Sequence, residues 1–212
     1  MNVSRYFADV SNNNANFDAH TYAEHGHLVV AIKATEGLAF VDPDHRTWAL
    51  RAGMVHIGVI HYHFARPDLG NSPEDEARFF LRNALHLTGG RDYLALDLER
   101  ATPGGWQHDP SWSRAFDEFI QANSRFHTLL YATRSTLEGG QGWLKDDTGN
   151  LWVADWSSGP DVKLHGYNVL CRQYTDGQLG PEPHEFPGVG VCDGNVMRGE
   201  MFVRSLRQSH CG

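Results

Sequence analysis

The chain has 212 residues, 41% of them hydrophobic and 11% aromatic, which is enough to bury a full core in one domain; no linker supports a division into two. A formal net charge of −8 with no basic run argues against nucleic-acid binding, which needs clustered Lys and Arg to replace counterions around phosphates. No apolar run approaches the length of a membrane span, and "MNVSRYFADV" lacks the basic and apolar regions of a signal peptide, so the expectation is a protein made in the cytoplasm with no membrane partner.

In chain order, short β-like runs alternate with helix-like segments, the pattern of a parallel sheet with crossover helices. The expected strands are 5–11, 28–37, 57–65, 93–99, 128–134, 150–156, 169–175 and 189–196. Helix signals lie between the early ones. "DPDHRTWALRAGM" has Asp42 before Pro43, "NSPEDEARFFLRNALHL" has Ser72, Pro73 and an acidic first turn, and "DPSWSRAFDEFIQAN" repeats the device with Asp109 and Pro110. The later connections, "SSGPDVKLHGYN" and "DGQLGPEPHEFPG", are rich in Gly and Pro and hold no substantial helix. The inference is a TIM-like α/β barrel of eight strands, the first five alternating with helices and the last three joined by loops. It occupies residues 1–203, followed by a polar tail at 204–212. Cys171, Cys192 and Cys211 are too few and scattered for a disulfide framework or a zinc site, and the first two read as buried free thiols.

In such a barrel the active site lies at the carboxyl ends of the strands. Asp9, Glu36, Asp97, Glu99 and Asp155 fall at or near strand ends, and Asp193 sits in the eighth run. Asp97 and Glu99, in "YLALDLE", are two positions apart on a strand, so both point to one face with Cα atoms roughly 6 to 7 Å apart. Crowded like charges raise the pKa of one member, so that it holds a proton while its neighbour stays ionised. Glycoside hydrolysis requires that division: one acid protonates the leaving oxygen, and one carboxylate supports the oxocarbenium-like centre.

The motifs "ADVSNNN", "IKATEG", "GVIHYHFARP", "LALDLE", "LLYATRSTL", "LWVADW", "RQYTDG" and "VCDGNVMRG" follow one another in the order and at the spacing of glycoside hydrolase family 25. From about residue 6 to residue 199 the chain resembles these N-acetylmuramidases, often called Chalaropsis-type lysozymes. The resemblance implies a (β/α)5(β)3 barrel that retains anomeric configuration while cutting the β-1,4 bond between N-acetylmuramic acid and N-acetylglucosamine in peptidoglycan. It makes Glu99 the general acid and Asp97 either the nucleophile or the group that orients the substrate's acetamido arm. Asp9 and Asp193 match its further catalytic aspartates, and Glu36 and Tyr62 match positions that line its cleft. Tyr131, Asp155, Trp156 and Gln173, in the later motifs, are taken as further substrate-binding residues. No metal or cofactor is implied. The expected partner is the glycan strand of peptidoglycan, met by a monomer that acts on the bacterial wall after release, as a phage endolysin does. Two departures stand out: "NNNANFD" after "DVS" replaces an aromatic or glutamine-rich stretch, and Trp156 stands where tyrosine is common.

Two other readings compete. His61 and His63 in "HYH" have the spacing by which amidohydrolase barrels hold a catalytic metal, with Asp193 as a further ligand, although no later strand end supplies more histidines. A glycan-binding barrel without turnover would be marked by loss of Asp97 or Glu99, and both are present. Trp152, inside an apolar strand, reads as core, and His63 as a hydrogen-bonded core or rim residue.

Overall fold

The structure, a computed structural model, describes residues 3–99, 109–126, 128–139, 142–144, 150–157, 164, 167–199 and 201. The tail 204–212, the boundary at 203, Cys211 and most of the 157–168 connection lie outside the described residues.

Eight strands form a closed barrel: β1 (Tyr6–Val10), β2 (Val29–Glu36), β4 (Gly58–Phe64), β5 (Tyr93–Asp97), β6 (Thr128–Thr133), β7 (Asn150–Ala154), β8 (Asn168–Thr175) and β11 (Asp193–Met197). Their order is β1-β11-β8-β7-β6-β5-β4-β2, and pairing of β1 with β2 closes the ring. A short strand β3 (Phe40–Val41) folds back antiparallel on the end of β2, and β9 (Glu185–Phe186) pairs with β10 (Gly190–Val191) outside the barrel. Helices α1 (Ala19–Glu24), α2 (His45–Met54), α3 (Pro73–Ala84), α4 (Pro110–Asn123) and α5 (Arg134–Glu138) follow the strands β1, β2, β4, β5 and β6. The expected eight-stranded α/β barrel is therefore the one observed.

Every strand alternates between two buried faces, as a barrel inside a helix shell requires. Phe7, Ala31, Ile60, Tyr93, Ala95, Leu129, Trp152 and Met197 fill the interior. Leu94, Leu96 and Leu98 point outward onto Phe80 of α3 and Phe116 and Ile120 of α4, while Val30 and Ile32 meet Tyr22 and Trp48 of α1 and α2. Burying each such side chain stabilises the fold by about 1.5 to 3 kcal/mol. Capping follows the signals in the sequence for α3 and α4: Ser72 accepts from Asp75 N, and Asp109 accepts from Ser111 N, each ahead of a first-turn proline.

The structure departs from the sequence expectation in three places. α2 starts at His45, and the carboxylate of Asp42 accepts instead from the backbone N–H groups of Asn12, at 2.8 Å, and Asp44, at 2.9 Å, tying the β1 loop to the β2 loop. The run 189–196 is not one strand, because β10 ends at Val191 and the barrel strand begins at Asp193. That last strand also runs antiparallel to both neighbours, β1 and β8, so its start and not its end lies on the rim formed by the carboxyl ends of the other strands.

Candidate active site

The antiparallel last strand explains how Asp193 joins the other acids. Asp9, near the end of β1, is the register partner of Asp193, at the start of β11. Gly194 permits the close passage beyond it, since a Cβ there would lie 2.7 Å from both the Tyr174 hydroxyl and Thr175 Cγ2. Past β5 the ladder continues through Leu98 N–H to the Tyr131 carbonyl at 2.9 Å, so Glu99 keeps strand alternation and returns to the inner face with Asp97.

These side chains meet in a cavity of about 280 Å³ at the rim. Asp9, Asp97, Glu99, Asp193, Tyr62, Tyr131 and Gln173 all line it, joined by Lys33, Phe64, Trp152 and the β1-loop residues Ser11, Asn13 and Asn14. Asp97 is 7% exposed and its Oδ1 atom is buried with no hydrogen-bond partner among the described residues. A buried carboxyl oxygen with no partner is costly to the fold, and in a residue that lines a cavity it fits a group kept for function.

Burial dominates the electrostatics. It pushes the Asp97 carboxyl well above its ordinary value, and the nearby Glu99 and Asp9 add to the rise. Glu99 is raised by burial and then by Asp9, with Lys33 opposing. Asp193 is pushed up to about 8 by burial and the fields of Asp9, Asp176 and Glu99. Asp9 rises less, to about 6, because hydrogen bonds from Asn195 and Gln173 offset part of its desolvation. Near neutral pH the rim therefore holds protons, with Asp9 more acidic than Asp193.

Among the described residues, Lys33 is the cation in this lining. Its ammonium bonds Glu36 Oε2 at 2.7 Å and lies over the Phe64 ring, 4.8 Å from the centroid. Glu36 also accepts from Arg66 Nη1 at 2.9 Å, and Arg66 forms two bonds of 2.9 Å with Asp68. Those ion pairs hold the Glu36 carboxyl below its usual range against the effect of its burial. The backbone N–H of Arg66 donates to Glu76 of α3 at 3.2 and 3.1 Å, which anchors the loop after β4.

Three of the residues expected to bind substrate, Glu36, Asp155 and Trp156, are not among those lining the cavity. Glu36 is not among the lining residues although the bulge between Lys33 and Thr35 gives it the register of the lining residue Phe64; its oxygens are engaged by Lys33 and Arg66. Asp155 is one residue past the inward Ala154, and its carboxylate turns to Arg134, at 3.3 Å, and to Ser157 N, at 3.1 Å. Trp156 stands outside the lining at 40% exposure and donates its indole N–H to Gln173 Oε1 at 3.0 Å.

His61 and His63 occupy the outer face of β4 and do not reach the cavity. His63, fully buried, bonds Glu76 Oε2 at 2.9 Å through Nε2 and Thr35 Oγ1 at 2.7 Å through Nδ1. Glu76 only accepts, so Nε2 carries the proton and Nδ1 accepts from the threonine. His61 bonds His45 Nε2 at 2.8 Å. Among the described residues no group of three or more His, Cys, Asp or Glu is placed to hold a metal ion. The "HYH" spacing is a packing feature of the helix shell, which removes the geometric ground for the amidohydrolase reading.

Sequence reasoning missed Lys33, Asn195 and the exposure of Trp152 to the cavity. Alternation could have found all three, since each shares parity with inward neighbours: Ala31, Asp193 and Ala154.

A mixed barrel with four rim carboxyls, two of them at alternate positions of one strand end, supplies the paired acids that a glycoside hydrolase uses. A family model for "Glycosyl hydrolases family 25" matches residues 8–182, and the chain belongs to that family. Among solved structures, the bacterial lysozyme from Streptomyces coelicolor superposes with a TM-score of 0.78 at 22% identity, covering 100% of this chain and 99% of that one. A family 25 lysozyme from Aspergillus fumigatus gives 0.73 at 23% identity, with 95% and 97% covered, and a muramidase from Trichobolus zukalii gives 0.73 at 19%, with 97% and 99% covered. At these identities the likeness establishes the fold. No curated protein matches the sequence.

Proposed function

We propose that the chain is an N-acetylmuramidase, which hydrolyses the β-1,4 bond between N-acetylmuramic acid and N-acetylglucosamine in peptidoglycan with Glu99 as general acid. One observation carries the reading: Glu99 and the unpartnered Asp97 line one cavity of a family 25 barrel. The three neighbours above, described as lysozymes and a muramidase, support it.

Two neighbouring acids, both pushed upward by burial and by Asp9, keep a proton between them near neutral pH. Glu99 delivers it to the leaving glycosidic oxygen. Asp97, then carrying the charge, supports the oxocarbenium-like centre, either by attacking it or by orienting the substrate's own acetamido group; both routes retain configuration. Glu99, now a base, takes the proton of the incoming water. Asp9 raises the proton affinity of Glu99 through space, Glu99 in turn raises that of Asp193, and Tyr62 and Tyr131 offer neutral hydroxyls, their pKa values pushed well above the ordinary value by burial. All four acids come from one chain, so a monomer suffices, and no step calls for a cofactor. The partner is the glycan strand and the place of action the bacterial wall.

The test is a digest of purified peptidoglycan in EDTA, with borohydride reduction and mass spectrometry of the fragments. New reducing ends on muramic acid are expected. Glu99→Gln should fold and bind glycan while losing about 10²- to 10⁴-fold in turnover, because the amide cannot donate that proton. Parent-like cleavage by Glu99→Gln would remove Glu99 from the role, and cut peptides on intact glycan would overturn the muramidase reading.

A further inference from the structure

Two carboxamides flank Asp9. Gln173 is 3% exposed; its Oε1 accepts from the Tyr131 hydroxyl and from Trp156 Nε1, both at 3.0 Å, and its Nε2 donates to Asp193 Oδ2 at 3.1 Å and Asp9 Oδ2 at 3.4 Å. A primary amide has two donor hydrogens and two acceptor lone pairs, so Gln173 is saturated and has nothing left for a sugar. Asn195, fully buried, repeats the arrangement: Oδ1 accepts from Trp152 Nε1 at 2.7 Å, and Nδ2 donates to Asp9 Oδ2 at 2.7 Å and to the Phe7 carbonyl at 3.4 Å.

An indole N–H can only donate, so each tryptophan dictates which end of its amide is the oxygen. The NH2 ends of both amides are thereby turned toward one atom, Asp9 Oδ2. We propose that Gln173 and Asn195, each oriented by a tryptophan N–H, are positioning residues that keep Asp9 as the fixed anion of the acidic rim, and that Gln173 is not a sugar ligand. This rests on reading Glu99 as the general acid, because the charge so fixed is what holds the proton on Glu99.

The contrast between the two register partners supports it. Asp193 receives one of the four amide N–H bonds and Asp9 receives two, and Asp9 is the more acidic, about 6 against about 8. The charged groups facing Asp9 are Lys33 from β2, Asp97 and Glu99 from β5 and Asp193 from β11. Tyr22, Tyr62, Tyr131, Cys171 and Cys192, also within reach of its field, are all raised and stay neutral. Donors to a carboxylate favour its ionised form, and a fixed charge in a site of low polarity acts strongly on its neighbours.

The experiment is a pH titration of the aspartate side-chain carboxyls by carbon-13 NMR in the parent, Gln173→Glu and Trp156→Phe, alongside the pH profile of kcat/KM on peptidoglycan. Gln173→Glu keeps the acceptor for Tyr131 and Trp156 and replaces the NH2 by a second oxygen, so the Asp9 midpoint should rise by about 1 to 2 pH units. Trp156→Phe keeps a smaller aromatic surface at the rim and removes the N–H that orients Gln173, so it should raise that midpoint by a smaller amount even if Gln173→Glu does not fold. A sugar-stacking role alone would change KM and leave the Asp9 titration where it was. An unmoved midpoint in Trp156→Phe and in any folded Gln173→Glu overturns the proposal, as does a parent in which Asp9 titrates above Asp193. Absence of muramic reducing ends from the parent digest would refute the function and leave the titration intact, so the two failures are distinguishable.

Discussion

Asp193→Asn should stabilise the protein, and the gain should depend on pH. The folded-state carboxyl is raised from 3.8 to about 8 by burial and by neighbouring acids. An acid whose pKa is raised by folding keeps its proton in the native state after the unfolded chain has released it. The penalty is therefore absent below about pH 4, grows as pH rises, and levels off above about pH 8. pH 7 lies about 3 units above the unfolded value of this carboxyl and below its folded value, and at about 1.4 kcal/mol per unit the upper limit is about 4 kcal/mol. The asparagine can still accept from Gln173 through its carbonyl oxygen, so no donor is orphaned. Partial contact with solvent reduces the gain to about 2 to 4 kcal/mol, a rise in Tm of about 5 to 15 °C for a domain of this size. Urea unfolding of parent and variant at pH 3.5, 5.5 and 8 measures it. A variant no more stable than the parent at pH 8, or a gain of equal size at every pH, would refute the argument that buried like charge sets this carboxyl.

Lys33→Met should move the alkaline limb of the kcat/KM profile upward, because Lys33 lowers the proton affinity of both Asp97 and Glu99 and its loss lets the general acid stay protonated to higher pH. A limb that stays put or moves down, measured on soluble glycan across pH 4 to 9, would remove Lys33 from that role. Glu76→Ala should destabilise by about 3 to 5 kcal/mol in denaturant titration, since this fully buried side chain accepts from His63, Arg66 N and Asn71, and all three donors would be left unpaired. A loss below about 1 kcal/mol would mean that water or neighbours satisfy those donors.

Much of the fold was legible because both faces of each barrel strand are buried, so runs such as "YLALDLE" are apolar without interruption until the chemistry begins. Strand direction was not legible. Whether Asp193 lies at the start or the end of its strand depends on pairing with β1 and β8, and residue periodicity is the same either way. Alternation also fails silently at a bulge: nothing in "IKATEG" announces the shift between Lys33 and Thr35 that pairs Glu36 with Phe64, or the bonds to Lys33 and Arg66 that engage its carboxylate. Asp155 is a different case, since its parity opposite Ala154 turns it away from the barrel interior, toward Arg134 and Ser157. Lys33 was legible in the sequence only as an ion-pair partner for strand-end acids, and the tertiary structure shows it folded over Phe64 beside four of them in the cavity.

The acidic rim and the amides beneath it explain each other. Four carboxyls crowded at one end of a barrel oppose folding, and they would share their protons in several arrangements if nothing distinguished them. Distinguishing them needs donors of fixed orientation, and a free amide can present either end to an acid. Trp152 and Trp156 remove that freedom from below and from the rim, so the polar layer between the apolar plug and the cavity has one arrangement. The interior tryptophan that sequence alone assigns to packing thus also decides, through Asn195, which acid keeps its charge, and the same apolar layers that stabilise the barrel offset what the acids cost it.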